Sequence, residues 1–274
     1  MAPRYQYVPL LPLPNVVFFP NTLLPLHIFE PRYRNLVEAA LSLDRLMGVA
    51  LLKPGWEETY YDCPPVYRTL GMGKIVEHEK LANGNYNIWL SGVQRVHVIH
   101  EVQERPFRVA KVQILNDRHH PSQAQALVVA RRQVADMARR LAAARPDMRE
   151  QLSKGMDEHV YPGAMADSLA SVVCADVYDK QCILSETDLT RRLRLIGVQV
   201  LARLREAIAQ GPMVQGPMAQ GPGAKGPSTK GPAAQGPSAK GPLAKGPLAK
   251  GPVSGAMPQE SAPPDSRVRP GAEA

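Results

Sequence analysis

Apolar and polar residues change rhythm near residue 118. Before that point, apolar residues come in short runs broken by turn formers. LPLPNVVFFPNTLLPLHIFEPRY (11–33) and RLMGVALL (45–52) read as buried strands, and PFRVAKVQIL (106–115) alternates apolar with polar. Asn83-Gly84 divides two further strand-like runs and offers the positive φ angles of a tight hairpin. One helix interrupts this part. Pro31 suits a first helical position, Glu30 lies near the positive end of its dipole, and Tyr33, Leu36, Val37, Ala40 and Leu41 recur on one face. The pattern predicts a small, partly open barrel.

Beyond His119-His120-Pro121 the period becomes helical. Leu127, Ala130, Val134, Met137, Ala138 and Leu141 share a face of one helix, and GAMADSLASVVCADV makes a shorter second. Ser185 and Asp188 are spaced like a capping box ahead of a third helix, whose stripe is Leu189, Leu193, Ile196, Val200, Leu204 and Ile208. Three helices with one apolar face each predict a bundle. The expected class is α+β: a β-rich domain over residues 1–118, a helical one over 119–209, and a tail from 210 to 274.

Prolines settle one ambiguity. Pro12, Pro14, Pro20, Pro25 and Pro31 fall in the first apolar stretch, and each would cost a helix interior about 3 kcal/mol, which excludes a membrane span there. Arg4 could serve a signal peptide, yet no small-residue cleavage site follows. The prolines instead belong at strand ends, edges or bulges.

The tail repeats Gly-Pro every five residues from Gly211 and has few large apolar side chains. It is expected to be disordered, and a period of five excludes a collagen helix. Two roles suit it: an extended spacer, or a weak polycation through Lys225, Lys230, Lys240, Lys245 and Lys250. The formal charge of +8 is shared with it, since seven tail Lys and Arg against three acids leave +4 there and +4 in the rest. That is a small excess for a nucleic-acid-binding surface. Three scattered cysteines, Cys63, Cys174 and Cys182, fit a reducing cytoplasm rather than a disulfide framework.

The residues carry no catalytic, cofactor or metal motif. GMGK (71–74) lacks the third glycine of a dinucleotide loop and reads as a strand end or bulge, and GPGAKGPSTK lacks the Gly-Lys-Ser/Thr of a phosphate loop. His97 and His100, three apart on a strand, are expected on opposite faces, where they would not share a metal. The pairs Arg131-Arg132, Arg139-Arg140 and Arg191-Arg192 read as solvated helix faces, with a nucleic-acid surface as the sharper alternative.

The opening LPLPNVVFFPNTLLPLHIFEPRYRNLVEAAL is similar to the start of the N-terminal substrate-binding domain of the ATP-dependent protease Lon. The resemblance rests on Leu11-Pro12-Leu13, Phe19-Pro20 and Pro25 through Tyr33. It continues through TLGMGKI, LANGNY and LSGVQRVHVI, where Gly92 and Arg95 fit a Gly-x-x-Arg step, and reaches DVYDKQCILSETDLTRRLRLI. It covers about residues 7–208, and the TLGMGKI segment is shorter than the family's form. The resemblance implies a PUA-like pseudo-barrel followed by a helical bundle. The chain ends where Lon would continue into its ATPase and Ser-Lys protease modules, so neither activity carries over.

A non-catalytic protein that captures unfolded or tagged polypeptides, or adapts them to a protease partner, is therefore expected, without cofactor, metal or membrane. RNA binding by the barrel is the alternative. Phe29, Glu30, Arg32 and Tyr33 are the candidate protein contacts. The plainer reading of the same residues makes Phe29 and Tyr33 core, with Glu30 and Arg32 holding the strand-to-helix corner.

Overall fold

The computed structural model describes residues 4–103, 106–154, 156 and 161–210. Six strands come first: β1 (Tyr5–Leu13), β2 (Leu23–Ile28), β3 (Leu46–Leu51), β4 (Thr69–Lys80), β5 (Tyr86–Gln103) and β6 (Arg108–Leu115), with α1 (Pro31–Leu41) between β2 and β3. Helices α2 (Ala124–Ala144), α3 (Arg149–Lys154), α4 (Pro162–Val173), α5 (Val177–Ser185) and α6 (Leu189–Gln210) follow. The architecture is α+β. Chain contacts separate Met1–Gly216 from Pro217–Ala274, and the latter, with the expected disordered tail, lies outside the described residues.

The sheet order is β2-β5-β4-β3-β1-β6, and β6 pairs again with β5. Five strands thus form a closed ring, and the expected opening is absent. Closure is possible because β5 is 18 residues long. Its first half holds β2 and its second half β6, through Arg95↔Leu115 to Gln103↔Val109. β1 is shared in the same way, with β6 along Tyr5–Leu10 and with β3 along Leu10–Leu13. Each half of β1 has one unpaired edge, which is where Pro9 and Pro12 can lack an N–H without breaking a ladder bond.

Local details correct several expectations. In the β4–β5 turn only Gly84 has positive φ, at 81°, while the Gly84 N–H donates to the Leu81 carbonyl and Leu81 N–H to the Asn85 carbonyl. This is a three-residue loop ending in a left-handed glycine, not a two-residue turn. Bulges lie at Met72/Gly73, as read from GMGK, and between Val98 and His100. The second bulge changes parity: His97 and His100 pair with Gln113 and Lys111, two apart on β6, and so share a face. Among the described residues no group of three His, Cys, Asp or Glu is placed to hold a metal.

Ser185 does not begin the last helix; it ends α5, which is capped by Asp176 accepting from the N–H groups of Tyr178 and Asp179. Asp188 caps α6 by accepting from Arg191 N–H. The apolar stripes of α2, α4 and α6 meet in one core around Val134, Ala138, Leu169, Ile196 and Val200. Ile208, assigned to the stripe, is exposed. No described helix is long and apolar enough to cross a membrane.

The segment between β1 and β2 joins the barrel to this core. Phe18 packs inside the barrel while its neighbour Phe19 packs among the helices. Glycine lets the backbone pass so closely: a Cβ on Gly71 would collide with the Phe18 carbonyl, and one on Gly92 with that of Phe19.

Four charged groups fix the same junction. Arg192, read as a surface residue, is fully buried, as are Arg95 and Asp167. Arg95 on β5 donates to Asp167 Oδ1 on α4 at 2.5 Å, and Arg192 Nη2 lies 2.7 Å from Asp117 Oδ2. Each arginine is also 3.9 Å from the other aspartate. Arg95 further donates to the carbonyls of Leu184 and Glu186 at the end of α5, at 3.2 and 2.9 Å. Burial pushes the Asp167 carboxyl up, against the pull of both guanidiniums.

Two predictions follow from this packing. Asp167→Asn leaves buried arginine charge short of its partner and is expected to cost about 3–5 kcal/mol, lowering the melting temperature by roughly 6 °C or more in circular dichroism. Cys174 is buried, which pushes its thiol up to about 12, whereas Cys63 and Cys182 are exposed. Alkylation of the folded protein at mildly alkaline pH, read by mass spectrometry, is expected to modify the two exposed thiols and to reach Cys174 only after denaturation.

Candidate functional site

The four residues singled out at the β2–α1 corner part company in the structure. Tyr33 is buried in the barrel core with Leu36 and Val37, and burial pushes its phenol well up. Glu30 is the N-cap residue of α1, but its carboxylate makes no capping bond. It accepts instead from Arg32 Nε at 3.0 Å and from the Tyr60 hydroxyl at 2.5 Å. Arg32 lies between aromatic faces, 4.6 Å from the Tyr33 ring centre and 4.7 Å from that of Tyr60, and donates to the Tyr60 carbonyl. Burial first, and the Glu30 carboxylate next, push the Tyr60 phenol up. Glu30 and Arg32 therefore tie the corner to the 57–62 loop, as the plainer reading has it. The cavity beside them, lined by Pro12, Arg32, Tyr33, Tyr60 and Arg108 among others, has about 20 Å³ of space, enough for about one water.

Phe29 is different. It is 61% exposed and stacks on His27, with ring centres 6.3 Å apart. Its neighbours follow from strand periodicity: Leu23, Pro25 and His27 alternate on the outer side of β2 while Leu24, Leu26 and Ile28 face the barrel core. Across the ladder Pro25 meets Trp89 of β5, and Trp89 meets Glu77 of β4. The bulge at Ile75/Glu77 adds Val76 to this side. Leu23, Trp89 and Val76 are 55%, 40% and 53% exposed. An aromatic pair, two aliphatics and a proline thus share one open face of the β2–β5–β4 sheet.

Large contiguous apolar patches on a surface are where binding sites are sought. Trp89 was missed because NIWLSG alternates like any half-buried strand. The signal available was a tryptophan on the polar phase of that alternation, between Asn87 and Ser91.

The two classes of residue respond differently to mutation. Tyr33→Ala is expected to lose about 3 kcal/mol or more in urea unfolding, whereas Phe29→Ala is expected to stay within about 0.5 kcal/mol of the parent. Comparable losses for both would place Phe29 in the core after all.

The chain shares its pattern with characterised proteins. It is 28% identical over 205 residues to Lon protease 2 of Myxococcus xanthus, a match covering 74% of this chain and 24% of that protein. Lon protease of Anaeromyxobacter dehalogenans is 27% identical over 203 residues, again with 24% of its length covered. The chain thus spans about a quarter of the length of these curated relatives. Among solved structures, the N-terminal domain of Mycobacterium avium complex Lon protease is similar in fold, with a TM-score of 0.54, 16% identity and coverage of 72% of this chain and 98% of that one. The family model of the ATP-dependent protease La (LON) substrate-binding domain matches residues 7–200, and the chain belongs to that family.

Proposed function

We propose that this protein binds polypeptides, without catalysing a reaction on them, through the outer face of the β2–β5–β4 sheet, and that it serves protein quality control as an adaptor. The observation that carries the reading is the exposed set Phe29, Leu23, Pro25, Trp89 and Val76 on one sheet face. The family supports a polypeptide as the ligand class, because its description is that of a substrate-binding domain. In this reading the PUA-like barrel domain of residues 1–118 presents the face, the helical part of 119–209 supports it, and the Gly-Pro tail of 210–274 is a spacer.

Unfolded chains differ from folded ones by exposing apolar side chains, and burying these against Trp89 and Phe29 is favourable whatever their order. RNA is disfavoured at this face. Glu77 pairs directly with Trp89 and Glu79 with Asn87, against one lysine, Lys74 opposite Ser91, so a phosphate backbone beside a base stacked on Trp89 would meet more carboxylate than ammonium.

The test uses a reduced, carboxymethylated protein as a permanently unfolded ligand. The full chain is expected to bind it, and the Phe29→Ser/Trp89→Ser double variant to bind at least about tenfold more weakly while unfolding at the same urea concentration. Binding should change little between about 50 and 300 mM salt, whereas phosphate contacts would make it fall steeply. Unchanged affinity in the double variant rules out this face.

A further inference from the structure

β2 ends the sheet order, and β5 is its only ladder partner among the described strands. Which of its backbone groups face outward follows from one bond. Gly92 N–H donates to the Thr22 carbonyl at 2.8 Å. With Leu24↔Leu90, Leu26↔Ile88 and Ile28↔Tyr86 in register, the even-numbered residues exchange bonds with β5. Leu23, Pro25 and His27 therefore direct their backbone groups to the free edge. That edge offers three carbonyl acceptors and two N–H donors; the missing donor is that of Pro25.

We propose that this edge receives an extended segment of the bound polypeptide as an added strand, with Pro25 limiting how tightly it is held. The inference rests on the polypeptide-binding reading and adds the conformation in which the ligand is bound. A row of alternating donors and acceptors at strand spacing is matched by another extended backbone and by little else. The same residues that open the edge, Leu23 and His27, place their side chains on the apolar face, so one strand can pair with the edge and lay alternate side chains beside Phe29. Backbone pairing reads no side-chain sequence, which suits a ligand defined by being unfolded. An uninterrupted apolar edge would also recruit second copies of this chain; a proline at an outward position removes one donor and blunts that hazard.

Two peptides and one substitution test the inference on the full chain. The first peptide has nine residues, valine alternating with threonine or lysine; the second is identical but N-methylated at two adjacent central positions, so that neither of its edges can pair. The first is expected to bind in fluorescence anisotropy and the second at least tenfold more weakly. Pro25→Val supplies the missing N–H and should tighten the first by about fivefold, the effect of one added hydrogen bond. Equal binding of both peptides overturns strand addition while leaving the apolar-face reading intact. If neither binds and unfolded protein is captured, the edge is likewise not the site; if unfolded protein is not captured either, both readings fall. Self-association of Pro25→Val in sedimentation without tighter peptide binding makes a second copy, and not a peptide, the occupant.

Discussion

Two buried arginines, the buried Asp167 and the partly buried Asp117 meet where the barrel joins the helices, and the joining of these two parts rests on their mutual neutralisation. Arg95 comes from β5, Asp117 from just after β6, Asp167 from α4 and Arg192 from α6. Removing such charges from water is costly, and their attraction offsets the cost only when all four are in place. The cluster therefore tolerates one arrangement of β5, α4 and α6 and penalises slipped ones. The carbonyls at the end of α5 complete the coordination of Arg95 and draw that helix into the same junction.

Apolar packing reinforces this geometry from the opposite direction. The proline-rich crossing between β1 and β2 sends Phe18 into the barrel and Phe19 into the helical core, over glycines that leave room for its carbonyls. Barrel and helices thus share a backbone segment as well as an ionic cluster. Their union leaves the β2–β5–β4 sheet facing outward, beyond the closed ring, because β2 pairs with the half of β5 that β6 does not use.

Prolines do three separate jobs in this arrangement. Pro9 and Pro12 occupy the unpaired side of a shared strand, Pro31 starts α1, and Pro25 interrupts an edge that would otherwise be fully competent to pair. The exposed apolar residues and the free β2 edge lie side by side, with Glu77, Glu79 and Lys74 as the charged residues of the same face. Arg32, one of the candidate contacts, is held at the corner by Tyr33, Tyr60 and Glu30.

Much of this was determined by sequence alone. Alternation and helical period placed β2 to β6, α1, α2, α4 and α6 in outline, because burying one face of an element is a local requirement that its own residues must meet, whereas β1 begins six residues before the stretch read as strand. Short α3 and α5 escaped notice, since six and nine residues give too few turns to show a period. The opening motif also identified the family. Tertiary structure decided the rest. Arg192 sits in an arginine-rich run indistinguishable from a solvated face, and only the arrival of Asp117 and Asp167 from distant elements makes its burial tolerable. Likewise Phe29 and Tyr33 are both aromatic residues of one motif, yet one is exposed and the other buried. The difference depends on which side of the β2–α1 corner the rest of the chain covers, and no residue encodes that by itself.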